Sequence, residues 1–337
     1  MKKLYTCAAC ILALTAALSL PGLCQAASFP KMNLQLGHIN PRVASDQYDR
    51  FAVLFAEKIN AKTNGAVTVD IFGSGQLGRE RDAIEGLKMG TVDMHVFSNF
   101  AIAAVHPPSF IIELPFMFPT RESVYAFLAS PVNAEVSDKV YAALDIKIIG
   151  WGEGGFRHIL NNVRPIVAPD DLKGIKLRVP ESPMFVDTFR ALGANPTPIS
   201  YPETYTAIQQ GTVDGLELPI PSAYSSRYHE INKYISMTGH FYNALAMCIS
   251  KPLWSKMSGD LQKLFIEAAL EAGAEQRVFV QTNDKKQLAD MEAFGIKLNH
   301  NVNTGAMQKA VEAIYGKYRD LIGADLYDRA MKMVHNK

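Results

Sequence analysis

Two arginine residues are placed where a guanidinium group could bind a carboxylate. Arg178 lies in GIKLRVPES (residues 174–182), where apolar and charged residues alternate before Pro180. Arg157 lies in GGFRHIL, directly after a double glycine. The planar guanidinium group matches the two oxygens of a carboxylate. Any single arginine of this kind is more often half of a surface ion pair, so the pattern indicates an anion site only together with other observations.

A glycine-rich segment raises the possibility of a nucleotide site. GSGQLG (residues 73–78) matches G-x-G-x-x-G and lies between a predicted strand and a predicted helix. A dinucleotide site also needs an acidic residue at the far end of the next strand. Asp93 begins that strand instead, so we interpret the segment as a turn that lines a cleft.

The remaining motifs favour neither a metal site nor catalysis. The histidines are scattered, and none forms H-E-x-x-H or lies beside a cysteine. The sequence contains no G-x-S-x-G elbow, no P-loop and no S-x-x-K motif. We therefore predict no metal, no cofactor and no catalytic residue.

The elements that must position the arginines alternate between strands and helices. Strands are predicted at MNLQLGH, AVTVDIF, VDMHVFS, IKIIGWG, FRHILNN, IKLRV, VDGLEL, KYISMTG and ALAMCIS. The first helix is predicted over residues 45–65, with Ser45 as its cap and Gly65 at its end. The alternation predicts an α/β protein with two units, each with its own sheet. Ligands of such sheets bind at the carboxyl ends of the strands.

The C-terminal part of the chain predicts a helix of more than 30 residues, starting near Gly259 and interrupted only by Gly273. Such a helix is longer than one small domain, since each residue adds about 1.5 Å. We expect it to brace two domains. Domain I would comprise residues 27–154 and about 240–275, and domain II residues 155–239 and about 276–337.

Composition and the N-terminus predict an exported protein. Of the 337 residues, 48% are hydrophobic and 20% charged, and the formal charge of +1 gives no sign of nucleic-acid binding. Residues 1–26 have a basic start and a short apolar stretch, which predicts a signal peptide cleaved after Ala26. A lipoprotein is the alternative, because Cys24 lies near the cut, but PGL is a poor lipobox. Without residues 1–26 the only cysteine is Cys248, which excludes an internal disulfide.

Several motifs in order carry a family resemblance over essentially the whole mature chain. They are GQLG (75–78), GTVDM (90–94), ELPFMF (113–118), DLKGIKLRVPES (171–182), GANPTPISYPETYTAIQQGTVDGLELP (193–219) and MSGDLQ (257–262). The chain resembles the substrate-binding proteins of tripartite ATP-independent periplasmic (TRAP) transporters, the DctP-type family. The resemblance implies two α/β domains that close like a flytrap, with crossing strands as the hinge and a long helix as the brace.

The resemblance also implies roles for individual residues. Arg178 would form a salt bridge with the carboxylate of an organic acid, and Arg157 would assist it. Tyr201 would pack on the ligand. The other residues predicted at the site are Ser98, Asn99, His38, Asn40, Glu153, Glu217 and Leu218.

Leu218 is a departure from the family pattern. Many members carry an asparagine there, in DGQENP, where this chain has DGLELP. An apolar residue at this position predicts a ligand with an apolar or aromatic body rather than a sugar acid. Trp151, Phe156, Met184 and Phe185 would extend the apolar wall.

The predicted function is that of a monomeric periplasmic receptor that delivers a small organic acid to membrane permease subunits. Two alternatives remain at this point. One is a secreted α/β enzyme acting on carboxylates, and the other is a ligand-sensing receptor of the same fold.

Overall fold

The structure is a computed structural model that describes residues 29–335. The predicted signal peptide lies outside the described residues. Within them, the nine strands are β1 (Met32–Gly37), β2 (Val67–Phe72), β3 (Met94–Ser98), β4 (Ile146–Asn161), β5 (Lys176–Val179), β6 (Asn195–Pro198), β7 (Gly215–Pro219), β8 (Tyr234–Ser250) and β9 (Lys297–Asn299).

Helices cover the sheet and fill the connections. The α-helices are α1 (Gln47–Lys62), α2 (Glu80–Met89), α3 (Asn99–Val105), α4 (Arg121–Leu128), α5 (Pro131–Leu144), α6 (Pro183–Ala191), α7 (Tyr201–Gln209), α8 (Ile220–Ser225), α9 (Lys251–Trp254), α10 (Gly259–Phe294), α11 (Thr304–Ile322) and α12 (Ala324–His335). Short 3-10 helices span Pro107–Glu113, Pro169–Leu172 and Tyr228–Glu230.

The strands form one continuous sheet with the order β2-β1-β3-β8-β4-β7-β5-β6, and β9 pairs with β8. The expectation of two separate sheets is therefore wrong. Strands β4 and β8 have 16 and 17 residues and pair antiparallel from Ile146↔Ser250 to Asn161↔Tyr234. One end of this pair joins β3, and the other joins β7 and β9, so the same two strands belong to both halves of the sheet.

The predicted domain boundaries fall inside the elements that run through both halves. The boundary at residues 154/155 lies in β4, that at 239/240 in β8, and that at 275/276 in α10. These boundaries stay a prediction.

Helix α10 is a single helix of 36 residues, as predicted, with a length of about 54 Å. It packs against α1, β4 and α8. Helix α1 is capped by Asp46 rather than by the expected Ser45, because the Asp46 carboxylate accepts hydrogen bonds from the backbone N–H groups of Tyr48 and Asp49. A carboxylate at this position also interacts favourably with the helix dipole.

Candidate carboxylate-binding site

Arg178 is a buried cation on β5, between β6 and β7. Only 2% of its surface is exposed. Its Nε donates to the carbonyl oxygen of Ile199 at 2.9 Å, and its guanidinium carbon lies 5.8 Å from the ring centroid of Tyr201. Within residues 29–335 no carboxylate lies within ion-pair distance of it. Burial, the largest effect, lowers the pKa of the guanidinium group. The downward shift means that the surrounding groups do not compensate the buried charge.

Arg157 is also 2% exposed, but a carboxylate already neutralises it. Its Nε and Nη2 donate to Oε2 and Oε1 of Glu217, at 2.5 and 2.7 Å. His240 Nε2 lies 3.1 Å from the same Glu217 Oε2. Burial alone would raise the pKa of Glu217, but Arg157 outweighs it and the net shift is downward. Arg157 therefore differs from Arg178, although both line the same cavity.

Two adjoining cavities lie beside Arg178. The inner one has a volume of about 10 Å³ and the outer one about 240 Å³. Both are lined by Ile39, Phe100, Arg178 and Tyr201. The inner cavity has polar groups from Asn40, Tyr48, Ser98, Arg157, Ser222 and Asn243 in its wall, beside the apolar side chains of Leu218 and Pro219. The outer cavity has apolar walls and a charged rim of Arg79, Glu80, Arg81 and Glu181.

The structure brings six of the ten predicted site residues together around the inner cavity. They are Asn40, Ser98, Arg157, Arg178, Tyr201 and Leu218. They come from the loop after β1 and from β3 in one half of the sheet, and from β4, β5, β7 and α7 in or next to the other.

The other four predicted residues do not line either cavity. Glu217 holds Arg157. His38 Nε2 lies 3.3 Å from Asp49 Oδ1, and Asn99 donates to the carbonyl oxygen of Ser109 and to Glu113. Glu153 accepts hydrogen bonds from Arg121 and from Tyr125.

The predicted apolar wall is only partly present. Leu218 lines the inner cavity, but Trp151, Phe156, Met184 and Phe185 line neither cavity beside Arg178. Met184 and Phe185 are on the buried face of α6 and pack in the core with no exposed surface. The glycine turn at residues 73–78 does not line these cavities either, although Arg79 and Glu80, which follow it, do.

Sequence reasoning missed several polar residues of the site, among them Glu80, Tyr48 and Asn243. Glu80 accepts a hydrogen bond from the backbone N–H of Ser98 at 2.9 Å, and burial raises its pKa to about 7. Tyr48 is hydrogen bonded to Ser98, and Asn243 donates to the Tyr48 hydroxyl at 3.2 Å. The sequence feature that could have pointed to Glu80 is its position two residues after the G-x-G-x-x-G segment.

A larger cavity lies elsewhere in the described residues. It has a volume of about 930 Å³ and includes Gly155 and His158 of β4, Gly239 of β8, Leu288 of α10 and Tyr315 of α11. Neither Arg157 nor Arg178 lines it. Since the uncompensated buried charge is at Arg178, the two smaller cavities are the better candidate for ligand binding.

Residues 29–335 contain neither a group of metal ligands nor a membrane-spanning helix. No three His, Cys, Asp or Glu side chains in this range are grouped so that they could hold a metal ion. No helix in the same range combines the length and the apolar character needed to cross a membrane.

Comparisons with known proteins identify the family and agree with the fold. The family profile described as bacterial extracellular solute-binding protein, family 7, matches residues 36–320. A solute-binding protein from Verminephrobacter eiseniae is 30% identical over 286 residues, which are 85% of each chain.

Two solved structures of TRAP periplasmic solute-binding proteins are similar throughout. One, from Bordetella bronchispeptica with density assigned as pantoate, has a TM-score of 0.85 and 30% identity and covers 90% of this chain and 99% of its own. The other, from Polaromonas and bound to D-erythronate, has a TM-score of 0.86 and 30% identity and covers 89% and 98%. The predicted fold class is confirmed.

Proposed function

Because the chain belongs to the bacterial extracellular solute-binding proteins of family 7, we propose that it is a periplasmic receptor that captures a small organic acid and delivers it to the permease subunits of a TRAP transporter. The structurally similar proteins bind, or are assigned, organic acids. The proposal includes a cleavable signal peptide and a monomeric state. It assigns the protein no catalytic step.

The observation that carries the proposal is the state of Arg178. A buried charge without a counterion is unfavourable, because burial removes its hydration and nothing replaces it. The guanidinium of Arg178 makes one hydrogen bond to a described residue, through Nε. A ligand carboxylate in the adjoining cavity would supply two acceptors and the missing negative charge.

Binding would also close the protein around the ligand. The inner cavity includes residues from both halves of the sheet, so a ligand there contacts both at once. A ligand can shift an open form towards a closed form only through its higher affinity for the closed form. A ligand that contacts both halves at once makes more contacts in the closed form, and these contacts provide the difference in affinity.

The test is a thermal-shift screen with pantoate, D-erythronate and other small acids, followed by calorimetry of the tightest one. A ligand at 100 times its dissociation constant adds about 2.7 kcal/mol of stability. Arg178→Ala should weaken binding by at least about thirtyfold, since loss of one partner of a desolvated charge pair costs about 2–5 kcal/mol. Arg178→Lys should also weaken it, because lysine lacks the two-pronged geometry.

Arg190→Ala is the matched control, because the Arg190 side chain is 70% exposed and lies on α6, outside both cavities. It should bind like the wild type. Near-wild-type affinity in Arg178→Ala would refute the assigned site, and a complete screen without any stabilising acid would refute the proposed function.

A further inference from the structure

Asn243 occupies a constrained position beside Arg178. It lies on β8, opposite Gly155 of β4, and is 1% exposed. A Cβ atom at Gly154 would overlap the Asn243 side chain, so the amide lies directly against the backbone of β4. The residue lines the inner cavity together with Arg157 and Arg178. Its side chain is therefore held in place at the site where the ligand carboxylate is proposed to bind.

The two ends of the Asn243 amide have different environments. Nδ2 donates to the hydroxyl oxygen of Tyr48 at 3.2 Å, and the Tyr48 hydroxyl is in turn hydrogen bonded to Ser98. The carbonyl oxygen Oδ1 is buried and has no hydrogen-bond partner among the described residues. A buried acceptor without a donor is destabilising, so a ligand that brings a donor gains from it.

A carboxylate cannot be this donor, because it only accepts hydrogen bonds when ionised. The donor must be another group of the same ligand. Asn243 and Arg178 line the same small cavity, so the donor must lie only a few bonds from the carboxylate. A hydroxyl is favoured over an ammonium group, since two guanidinium groups line the same cavity.

We infer that Asn243 is a specificity-determining residue that selects acids with a hydroxyl on C2 or C3 through its carbonyl oxygen Oδ1. The inference rests on the proposed function. It reverses the preference expected from Leu218 for the part of the ligand next to the carboxylate, because the same cavity also contains the unpaired acceptor of Asn243. An apolar body remains compatible with the outer cavity, whose walls include Ile84, Ala101 and Pro183.

The test uses five acids with one four-carbon skeleton: butanoate, 2-hydroxybutanoate, 3-hydroxybutanoate, 2-oxobutanoate and 2-aminobutanoate. Their dissociation constants are measured by calorimetry on the full mature protein. One of the two hydroxy acids should bind at least about tenfold more tightly than butanoate and 2-oxobutanoate, which corresponds to about 1.4 kcal/mol. The 2-oxo acid has an acceptor in place of the donor, so it should gain nothing from Asn243.

In Asn243→Leu and Asn243→Ala the ratio between hydroxy acid and butanoate should fall to about one. This ratio distinguishes selection from a general loss of structure, which would weaken all five acids alike. If neither variant folds, the ratios of the dissociation constants measured on the wild type still test the inference. Equal binding of hydroxy, oxo and unsubstituted acids, or tighter binding of 2-aminobutanoate, contradicts the inference.

The failure of this inference is separable from failure of the proposed function. If the hydroxyl preference is missing or persists without Asn243, but Arg178→Ala abolishes acid binding, only the role of Asn243 is refuted. If none of the five acids binds the wild type while the wider screen finds another acid, the inference is also refuted and the proposed function stands.

Discussion

Glu113 is a buried carboxyl group whose titration should be visible in the stability of the protein. It is 1% exposed, and its Oε1 accepts a hydrogen bond from Asn99 at 3.1 Å. Burial, the largest effect, raises its pKa to about 8, although Asn99 and Arg157 act in the opposite direction. Between about pH 4.5 and pH 8 the folded protein thus keeps a proton that the unfolded chain releases. Stability must fall as the pH rises through this range.

Glu113→Gln should remove this contribution, because the amide is neutral at every pH. The free energy of unfolding of the variant relative to the wild type should increase by up to about 1.4 kcal/mol per pH unit between pH 5 and pH 8. Urea unfolding at pH 5, 6.5 and 8 measures it. Other buried acids such as Glu80 titrate in both proteins and cancel in the difference. Parallel pH profiles would show that Glu113 is ionised in the folded protein.

At the residue scale, sequence reasoning could identify Arg178 but not its polar neighbours. Arg178 stands at the end of a strand before a proline, and the surrounding motif supports it. Tyr48, Ser98 and Asn243 are separated by 50 and 145 positions in the chain, and only the sheet brings them together. A local pattern carries no information about such contacts. The assigned roles of the site residues stay predictions.

Helix α10 approaches β4 closely at one glycine. A Cβ atom at Gly273 would overlap the carbonyl oxygen of Trp151, which is backbone and cannot rotate away. Gly273→Ala should therefore lower the free energy of unfolding by about 1–3 kcal/mol, as for other overpacked core positions. Denaturant unfolding of the mature protein measures the change.

Gly316→Ala is the matched control, since Gly316 lies inside α11 and a Cβ atom there meets nothing within 4 Å. Alanine should stabilise that helix by about 0.5–1 kcal/mol. Equal effects of the two substitutions would mean that helix propensity, and not the contact with Trp151, decides at Gly273.

At the element scale, the first helix, the long helix and most strands could be predicted, but the continuity of β4 and β8 could not. The sequence suggested a break in each, at GWGEGGF and at SMTGHFY. The structure has register shifts between Glu153 and Gly155 and between Arg157 and Ile159, and Gly155 and Gly239 have positive φ angles. Bulges interrupt the alternation of buried and exposed residues while the strand goes on. The alternating sequence pattern therefore ends at these bulges, although each strand continues through them.

At the scale of the whole molecule, the described conformation is a closed one. The inner cavity of about 10 Å³ has room for about one water molecule, so the body of a bound acid must occupy the outer cavity of about 240 Å³. Contacts between the halves include Arg79–Glu203 at the rim, Asn40–Ser222 and Asp46–Ser225. A ligand must therefore enter while these contacts are broken, and they re-form around it.

Glu203→Gln removes the rim ion pair without changing the two cavities' apolar walls. Exposed ion pairs contribute about 0.2–1 kcal/mol, so the bound acid should dissociate about 1.4- to fivefold faster. Stopped-flow measurements with the tightest acid of the screen test this. The effect should shrink as the salt concentration rises, because salt screens exposed charges.

Glu230→Gln is the control for Glu203→Gln, because Glu230 pairs with Arg227 three residues away and not across the cleft. Its dissociation rate should equal that of the wild type. An unchanged rate in Glu203→Gln at low salt would show that the rim pair does not hold the closed form.

The position of β8 in the sheet has a consequence for the synthesis of the chain. Strand β8 lies between β3 and β4, yet β3 ends at Ser98 and β4 at Asn161, while β8 begins only at Tyr234. A ribosome releases the chain from its N-terminus, so the edges of β3 and β4 that face β8 stay open until that segment emerges. Open strand edges recruit strands from other chains. These two edges therefore raise the risk of aggregation in the nascent polypeptide, where a chaperone would protect them, and β8 covers both in the folded protein.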